Sequence, residues 1–168
     1  MTDASAPTAN PTVQRLLGEA VGRSLSREQI IVVVRVLRKH RCLIEFLDAL
    51  DRQPNPTGDD WRLRFELAHL VHRQPEAALA LEQAVKADPT DPIMARRAVE
   101  FFMAARDNER ALEFAASGLQ HNPEAKPLLR LRAVLCSYIR ADQADEAIGA
   151  AWRAEIEDWW CLIDCWAR

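Results

Sequence analysis

Four arginines recur at a nearly constant interval along the chain. Arg62, Arg96 and Arg130 are spaced 34 residues apart, and Arg27 stands 35 residues before Arg62. A guanidinium group carries paired N–H donors that match the two oxygens of a carboxylate. If each arginine occupies the same place in a repeated element, the spacing predicts a row of cationic side chains suited to an acidic ligand.

The same spacing also fits ordinary surface ion pairs. Arg62 and Arg96 are each followed four residues later by a glutamate, Glu66 and Glu100. Side chains at this spacing meet on a helix surface, where such a pair contributes only about 0.2–0.5 kcal/mol. The glutamates would also reduce the positive charge offered to a ligand. Both interpretations, a ligand-binding row and solvated ion pairs, stay open at this point.

Two further pairs of residues have the spacing of metal ligands. His69 and His72 are three residues apart on a predicted helix, and Cys161 and Cys165 are four apart. The histidines lack a third ligand of suitable spacing, so we interpret them as surface or groove residues and the cysteines as packed thiols. The motifs GxGxxG, Walker loop, GxSxG and HExxH are absent from the sequence. We therefore predict no catalytic residue, metal or cofactor, and a protein that is not an enzyme.

The charge balance limits the classes of partner. The chain has 22 basic and 25 acidic residues and a formal net charge of -3, which argues against a dedicated nucleic-acid binder. Four basic residues do cluster: Arg35, Arg38, Lys39 and Arg41. They lack interleaved aromatic side chains that would stack on bases, so we interpret them as a solvated helix face or turn.

The sequence contains no segment of the kind that directs a chain into or across a membrane. The longest apolar run, Ile30–Val34, is five residues, whereas a membrane span needs about 20. The first 11 residues have neither a basic start nor an apolar core, so they predict a disordered tail rather than a secretory signal. The four cysteines form no CxxC pair. We expect a cytoplasmic protein that does not insert into membranes.

The elements that position these residues are predicted to be helices. The chain of 168 residues has 27 alanines and only 5 glycines, and helical periodicity is nearly continuous from Thr12 onward. Small residues and prolines recur at an interval of 34: Ala77 and Ala111, Ala84 and Gly118, Pro89 and Pro123. A two-helix unit repeating at this interval is typical of helical repeat arrays. Small side chains allow helices to cross at 8–10 Å.

The chain resembles the tetratricopeptide repeat (TPR) family over about residues 23–158. The unit 58–91 carries the family's pattern in Trp61, Ala77, Ala84 and Pro89, with Leu81 where the family prefers an aromatic residue. The unit 92–125 keeps Phe102, Ala111, Gly118 and Pro123. Phe65 and Val99 stand where the family has a small residue. The resemblance implies an all-α fold in which antiparallel helix hairpins form a right-handed superhelical array. It also implies that the first helix of each unit lines a concave groove.

The resemblance further implies a function. It predicts a non-enzymatic protein-protein interaction module, an adaptor, scaffold or chaperone-like protein, that holds a peptide or helix of a partner in the groove. An acidic segment or a C-terminal carboxylate is the expected ligand. The expected groove residues are Arg62, Arg96, Arg130, His69, Met103 and Tyr138. The alternative is a regulatory or docking domain of a larger enzyme or multi-subunit complex.

The predicted organisation is a tail over 1–11 and one repeat domain over 12–168. Its units are 23–57, 58–91, 92–125 and 126–158. In the first unit either Leu37–His40 forms the turn or one long helix runs over residues 26–52. Trp159, Leu162, Ile163 and Trp166 form one apolar stripe, which predicts a capping helix over 159–167. One alternative is an extension of the helix that starts near Asp142. Another is an interface, homo- or hetero-oligomeric, through Trp159, Trp160 and Trp166.

Overall fold

The computed structural model describes residues 10–23 and 25–154. The regular structure of these residues is entirely α-helical, which confirms the all-α prediction. The helices are α1 (Pro11–Ala20), α2 (Arg27–Lys39), α3 (Leu43–Asp51), α4 (Gly58–Leu70), α5 (Gln74–Ala87), α6 (Pro92–Ala104), α7 (Asn108–His121), α8 (Lys126–Ile139) and α9 (Ala141–Arg153). Within the described part of the chain, none of them has the length and apolar character needed to span a membrane. Pro11, which we expected in the tail, is the first residue of α1.

The chain divides into two compact units between Ala87 and Asp88. In the first unit, α4 and α5 form a closely packed pair, whereas α1, α2 and α3 contact one another more sparingly. In the second unit, α6 packs on α7 and α8 packs on α9, while α7 also packs on α8. These pairs are the helix hairpins that the 34-residue interval predicts, and α4 begins at Gly58 and α6 at Pro92. A single domain over 12–168 stays a prediction.

Side-chain caps explain where several helices begin. Ser26 Oγ accepts from the Gln29 N–H at 3.3 Å, and Gln29 Oε1 accepts from the Ser26 N–H at 2.7 Å. This reciprocal capping box opens α2. Thr57 and Asp60 form a second capping box at the start of α4. Pro92 occupies the first turn of α6. Backbone N–H groups in the first turn have no partner within the helix, so proline removes no hydrogen bond there.

Three of the turns within helix pairs share one backbone geometry. The residue with positive φ is Arg41 (57°), His72 (61°) or Arg106 (61°). The next N–H in each turn bonds the carbonyl five residues earlier: Cys42 to Leu37 (3.0 Å), Arg73 to Ala68 (2.9 Å) and Asp107 to Phe102 (2.9 Å). This is the Schellman arrangement, here built without glycine. The repeated turn is the backbone counterpart of the repeat in the sequence.

The position of these turns corrects two expectations. The first helix pair turns around Arg41, and Leu37 and Lys39 still belong to α2, so neither a turn over Leu37–His40 nor one long helix over 26–52 occurs. The left-handed conformation of Arg41 ends α2 there. For the same reason His72 lies beyond the end of α4 and does not share a helix with His69.

The small residues occupy the sites of closest helix approach. Ala77, Ala84 and Ala111 are completely buried. A Cβ added to Gly118 on α7 would lie 2.8 Å from Ala95 Cβ on α6 and 2.8 Å from Leu128 Cδ1 on α8. Three helices of the second unit therefore meet at Gly118 at a distance that leaves no room for a methyl group.

The connection between α1 and α2 is held by the N-terminus of α4. Asp60 Oδ1 accepts from the Gly22 N–H at 3.2 Å, and Asp59 Oδ2 accepts from the Leu25 N–H at 3.1 Å. Asp60 Oδ2 also accepts from the N–H and the hydroxyl of Thr57 at 2.8 and 2.7 Å. Asp60 is almost fully buried, so these bonds satisfy a carboxylate that water does not reach.

Candidate functional site

The first part of the candidate site is the exposed face of α6 in the second unit. Arg96 lies on this face, and its Nε donates to Glu100 Oε1 at 2.7 Å. The two side chains are 51% and 47% exposed. The expected Arg96–Glu100 pair is therefore present. Ile93 is exposed and Met103 is half-buried on the same side of the helix, opposite the buried Ala95 and Phe102.

The second part is the corresponding face of α8. Arg130, Val134 and Tyr138 are four residues apart, so they form one row along the helix surface. Arg130 and Val134 are half-buried, and Tyr138 is exposed. Because α6 and α8 contact each other, four of the predicted site residues lie on two neighbouring helices of the second unit: Arg96, Met103, Arg130 and Tyr138. We call these residues, with Ile93 and Val134, the α6–α8 face.

The other two predicted residues lie on α4 in the first unit. Arg62 is partly buried, and its Nη1 donates to Asp59 Oδ1 at 3.2 Å. Because Asp59 also holds the Leu25 N–H, this carboxylate ties Arg62 to the α1–α2 connection. His69 is exposed, and its ring stacks on that of Phe65 with 5.7 Å between the centroids. Arg62 thus has a structural partner that its spacing from Glu66 did not predict.

The Arg96–Glu100 pair is weak enough to be exchanged. Both groups are about half exposed, and solvent-exposed ion pairs contribute about 0–1 kcal/mol. A carboxylate from a ligand can therefore replace Glu100 beside Arg96 at small cost. The exposed side chain of Ile93 places apolar surface on the same helix face. Ile93 is a residue that the sequence analysis missed, although its spacing of three from Arg96 placed it on the same helix face.

A buried arginine in the first unit was also missed. Arg64 Nη2 donates to the carbonyl oxygen of Leu50 near the end of α3, and Nη1 lies 3.9 Å from Asp51 Oδ1. The guanidinium carbon lies 4.5 Å from the centre of a Trp61 ring. Burial lowers the pKa of Arg64 and raises the pKa of Asp51. These contacts assign Arg64 to holding α4 on the end of α3, rather than to binding a ligand.

The remaining polar candidates offer no reactive site within the described residues. Cys42 and Cys136 are buried, and burial raises the pKa of both thiols. In the part of the chain that the structure describes, no three His, Cys, Asp or Glu side chains converge as metal ligands. The predicted capping helix and the residues Trp159, Trp160, Trp166, Cys161 and Cys165 lie outside the described residues.

Comparison with known proteins supports the fold. No protein-family model and no curated protein matches the sequence. Among solved structures, "Crystal structure of MamA protein" is similar with a TM-score of 0.58 and 10% identity, covering 76% of this chain and 72% of that one. A second structure, "Crystal structure of MamA", has the same TM-score and identity and covers 84% and 82%. At this identity the likeness establishes an all-α, TPR-like helical repeat fold.

Proposed function

We propose that the protein is a non-enzymatic protein-interaction module whose α6–α8 face binds an acidic segment of a partner protein. The observation that carries this proposal is the exposure of Arg96 beside Ile93 and Met103, on a helix that contacts the helix bearing Arg130 and Tyr138. Arginines flanked by exposed apolar side chains suit a peptide that alternates acidic and apolar residues.

Glu100 sets the strength of this interaction. In the unbound protein its carboxylate holds the Arg96 guanidinium at 2.7 Å, so a ligand carboxylate must displace it. After displacement Glu100 would repel the ligand. Removing its charge is therefore expected to tighten binding, whereas reversing the charge of Arg96 is expected to weaken it. This opposite response of two neighbouring residues distinguishes a ligand site from a solvated ion pair.

We also propose Arg62 and His69 as binding residues of the first unit, because they stand 34 residues before Arg96 and Met103. The Arg62 guanidinium donates to Asp59, and Asp59 also accepts from the Leu25 N–H. Arg62 is therefore held in its ion pair more firmly than Arg96 is. We therefore expect Arg62 to contribute less to binding an acidic peptide than Arg96 does.

The test uses the full chain and fluorescein-labelled peptides that alternate glutamate and leucine, with either a free or an amidated C-terminus. The double variant Arg96→Glu/Arg130→Glu is expected to weaken binding more than tenfold, about 1.4 kcal/mol or more. Glu100→Gln is expected to tighten it, and the free C-terminus should bind better if a terminal carboxylate is recognised.

The matched control is Arg153→Glu, a charge reversal at an exposed residue of α9. It should leave peptide binding unchanged, and every variant should keep its helical circular dichroism and melting temperature. Equal affinity of the wild-type protein and the double variant would refute the proposal.

A further inference from the structure

Helix α2 carries apolar residues on nearly all of its sides. Ile30 and Leu37 are buried, and Val33, Val34 and Val36 are half-buried. Ile31 and Val32 are nevertheless 48% and 55% exposed. A helix that is hydrophobic all round is normally enclosed by protein on every side. Within its own unit, α2 makes only sparing contact with α1, α3 and α4.

The exposed side of α2 is also positively charged. Beyond Arg27 in the first turn, its cations are Arg35, Arg38 and Lys39, all exposed, and Arg41 follows in the turn. Among the described residues, none of these four cations takes part in an ion pair. The only acidic residue of α2 is Glu28, which accepts from Ser26 Oγ at 2.8 Å at the other end of the helix. Attraction to the helix dipole accounts for cations in the last turn, but not for Arg35 in the middle.

The arrangement of these residues indicates the shape of a partner. Successive residues of a helix point about 100° apart, so Ile31 and Val32 flank a strip on which Arg35 lies one turn further along. A flat lipid surface that took up both apolar side chains would force the Arg35 guanidinium toward the hydrocarbon, which is costly. A protein helix lying along the strip would place a carboxylate opposite Arg35 and apolar side chains against Ile31 and Val32.

We propose that Ile31, Val32, Arg35, Arg38 and Lys39, which we call the α2 face, bind an amphipathic helix of a partner protein. That helix bears carboxylates beside its apolar stripe. Charge complementarity identifies this occupant. The α2 face has three cations and only two apolar side chains, so carboxylates of the partner must supply much of the interaction. The face belongs to the first unit and shares no residue with the α6–α8 face, so either proposal can fail without the other.

The test uses the full chain and two synthetic helical peptides. One has a leucine stripe bordered by glutamates, and in the other lysines replace the glutamates. The acidic peptide is expected to bind at least tenfold more tightly than the basic one, as measured by fluorescence anisotropy. Arg35→Glu/Arg38→Glu should weaken its binding at least tenfold, and Ile31→Ser/Val32→Ser should also weaken it. Because all four residues are exposed, these variants are expected to fold.

Two controls separate this surface from the one proposed above. Arg153→Glu should not change binding of the acidic helix, and Arg96→Glu/Arg130→Glu should leave the α2-dependent part of the binding intact. Equal binding of both peptides, or binding indifferent to the α2 variants, would overturn the proposal.

Two other occupants are tested in parallel. Vesicles of phosphatidylserine and phosphatidylcholine that bind the wild-type chain but not the α2 variants would assign the face to lipid. A dimer in sedimentation velocity that the same substitutions dissociate would assign it to a second copy. Either result contradicts a partner helix.

Discussion

Replacing Gly118 with alanine tests the packing of the second unit most directly. Gly118 lies within α7, between α6 and α8. The new Cβ would stand 2.8 Å from Ala95 Cβ and 2.8 Å from Leu128 Cδ1. Carbon atoms are at their optimum separation near 3.5–4.0 Å, so both contacts are strongly repulsive unless the helices move apart.

Two opposing effects determine the size of the change. Alanine favours a helix over glycine by about 1 kcal/mol. Overpacking a well-filled core costs about 1–3 kcal/mol. Ala95 Cβ is fixed to the α6 backbone and cannot rotate away, and the Leu128 side chain is completely buried. We therefore expect the overpacking cost to dominate, with a net loss of about 1–2 kcal/mol in the free energy of unfolding.

Urea denaturation followed by circular dichroism measures this change. The matched control is Gly149→Ala in α9, because a Cβ there meets only Arg153 Nη1 at 3.5 Å, an ordinary contact. This variant should gain up to about 1 kcal/mol from helix propensity. Adding Ala95→Gly to Gly118→Ala should recover part of the loss, with a coupling energy above about 0.5 kcal/mol. If Gly118→Ala stabilised the protein as much as Gly149→Ala, the inferred close approach would be wrong.

Two further substitutions test the turns and the tether. Arg106→Gly should raise the free energy of unfolding by about 0.5–1 kcal/mol. Glycine avoids the left-handed strain of about 1–2 kcal/mol at this position, although it loses more chain entropy on folding. A loss of stability in urea denaturation would contradict the strain argument. Asp60→Ala should lower the free energy of unfolding by about 1–3 kcal/mol, because the N–H donors of Gly22 and Thr57 lose their acceptor. Amide hydrogen exchange at Gly22 should accelerate in that variant, and unchanged protection would count against the tether.

The helix pairs were predictable because their signals are local. Ala77 and Ala111 are 34 residues apart, as are Ala84 and Gly118, and each lies buried on the second helix of a pair. The turns were harder to place. Arg41, His72 and Arg106 adopt positive φ without being glycine, so the usual marker of a helix end is missing at all three. Only the backbone hydrogen bonds identify them.

The candidate site was predictable to a similar degree. The Arg96–Glu100 pair follows from a spacing of four on one helix, and the structure contains it. The environment of Arg62 does not follow from spacing. Its partner Asp59 also accepts from the backbone N–H of Leu25, which stands 34 residues earlier in the chain. Whether the arginines bind a ligand stays a prediction, which the charge variants will test.

The sequence by itself determined the helical class, the repeat interval and the faces on which Arg96 and Tyr138 lie, because helical periodicity is a property of neighbouring residues. The tertiary structure alone decided which groups are enclosed. Arg64 is buried against the end of α3, and Asp60 holds Gly22 across 38 residues of chain. The packing of helices distant in sequence determines the burial and partners of a polar group, and no local pattern encodes that packing.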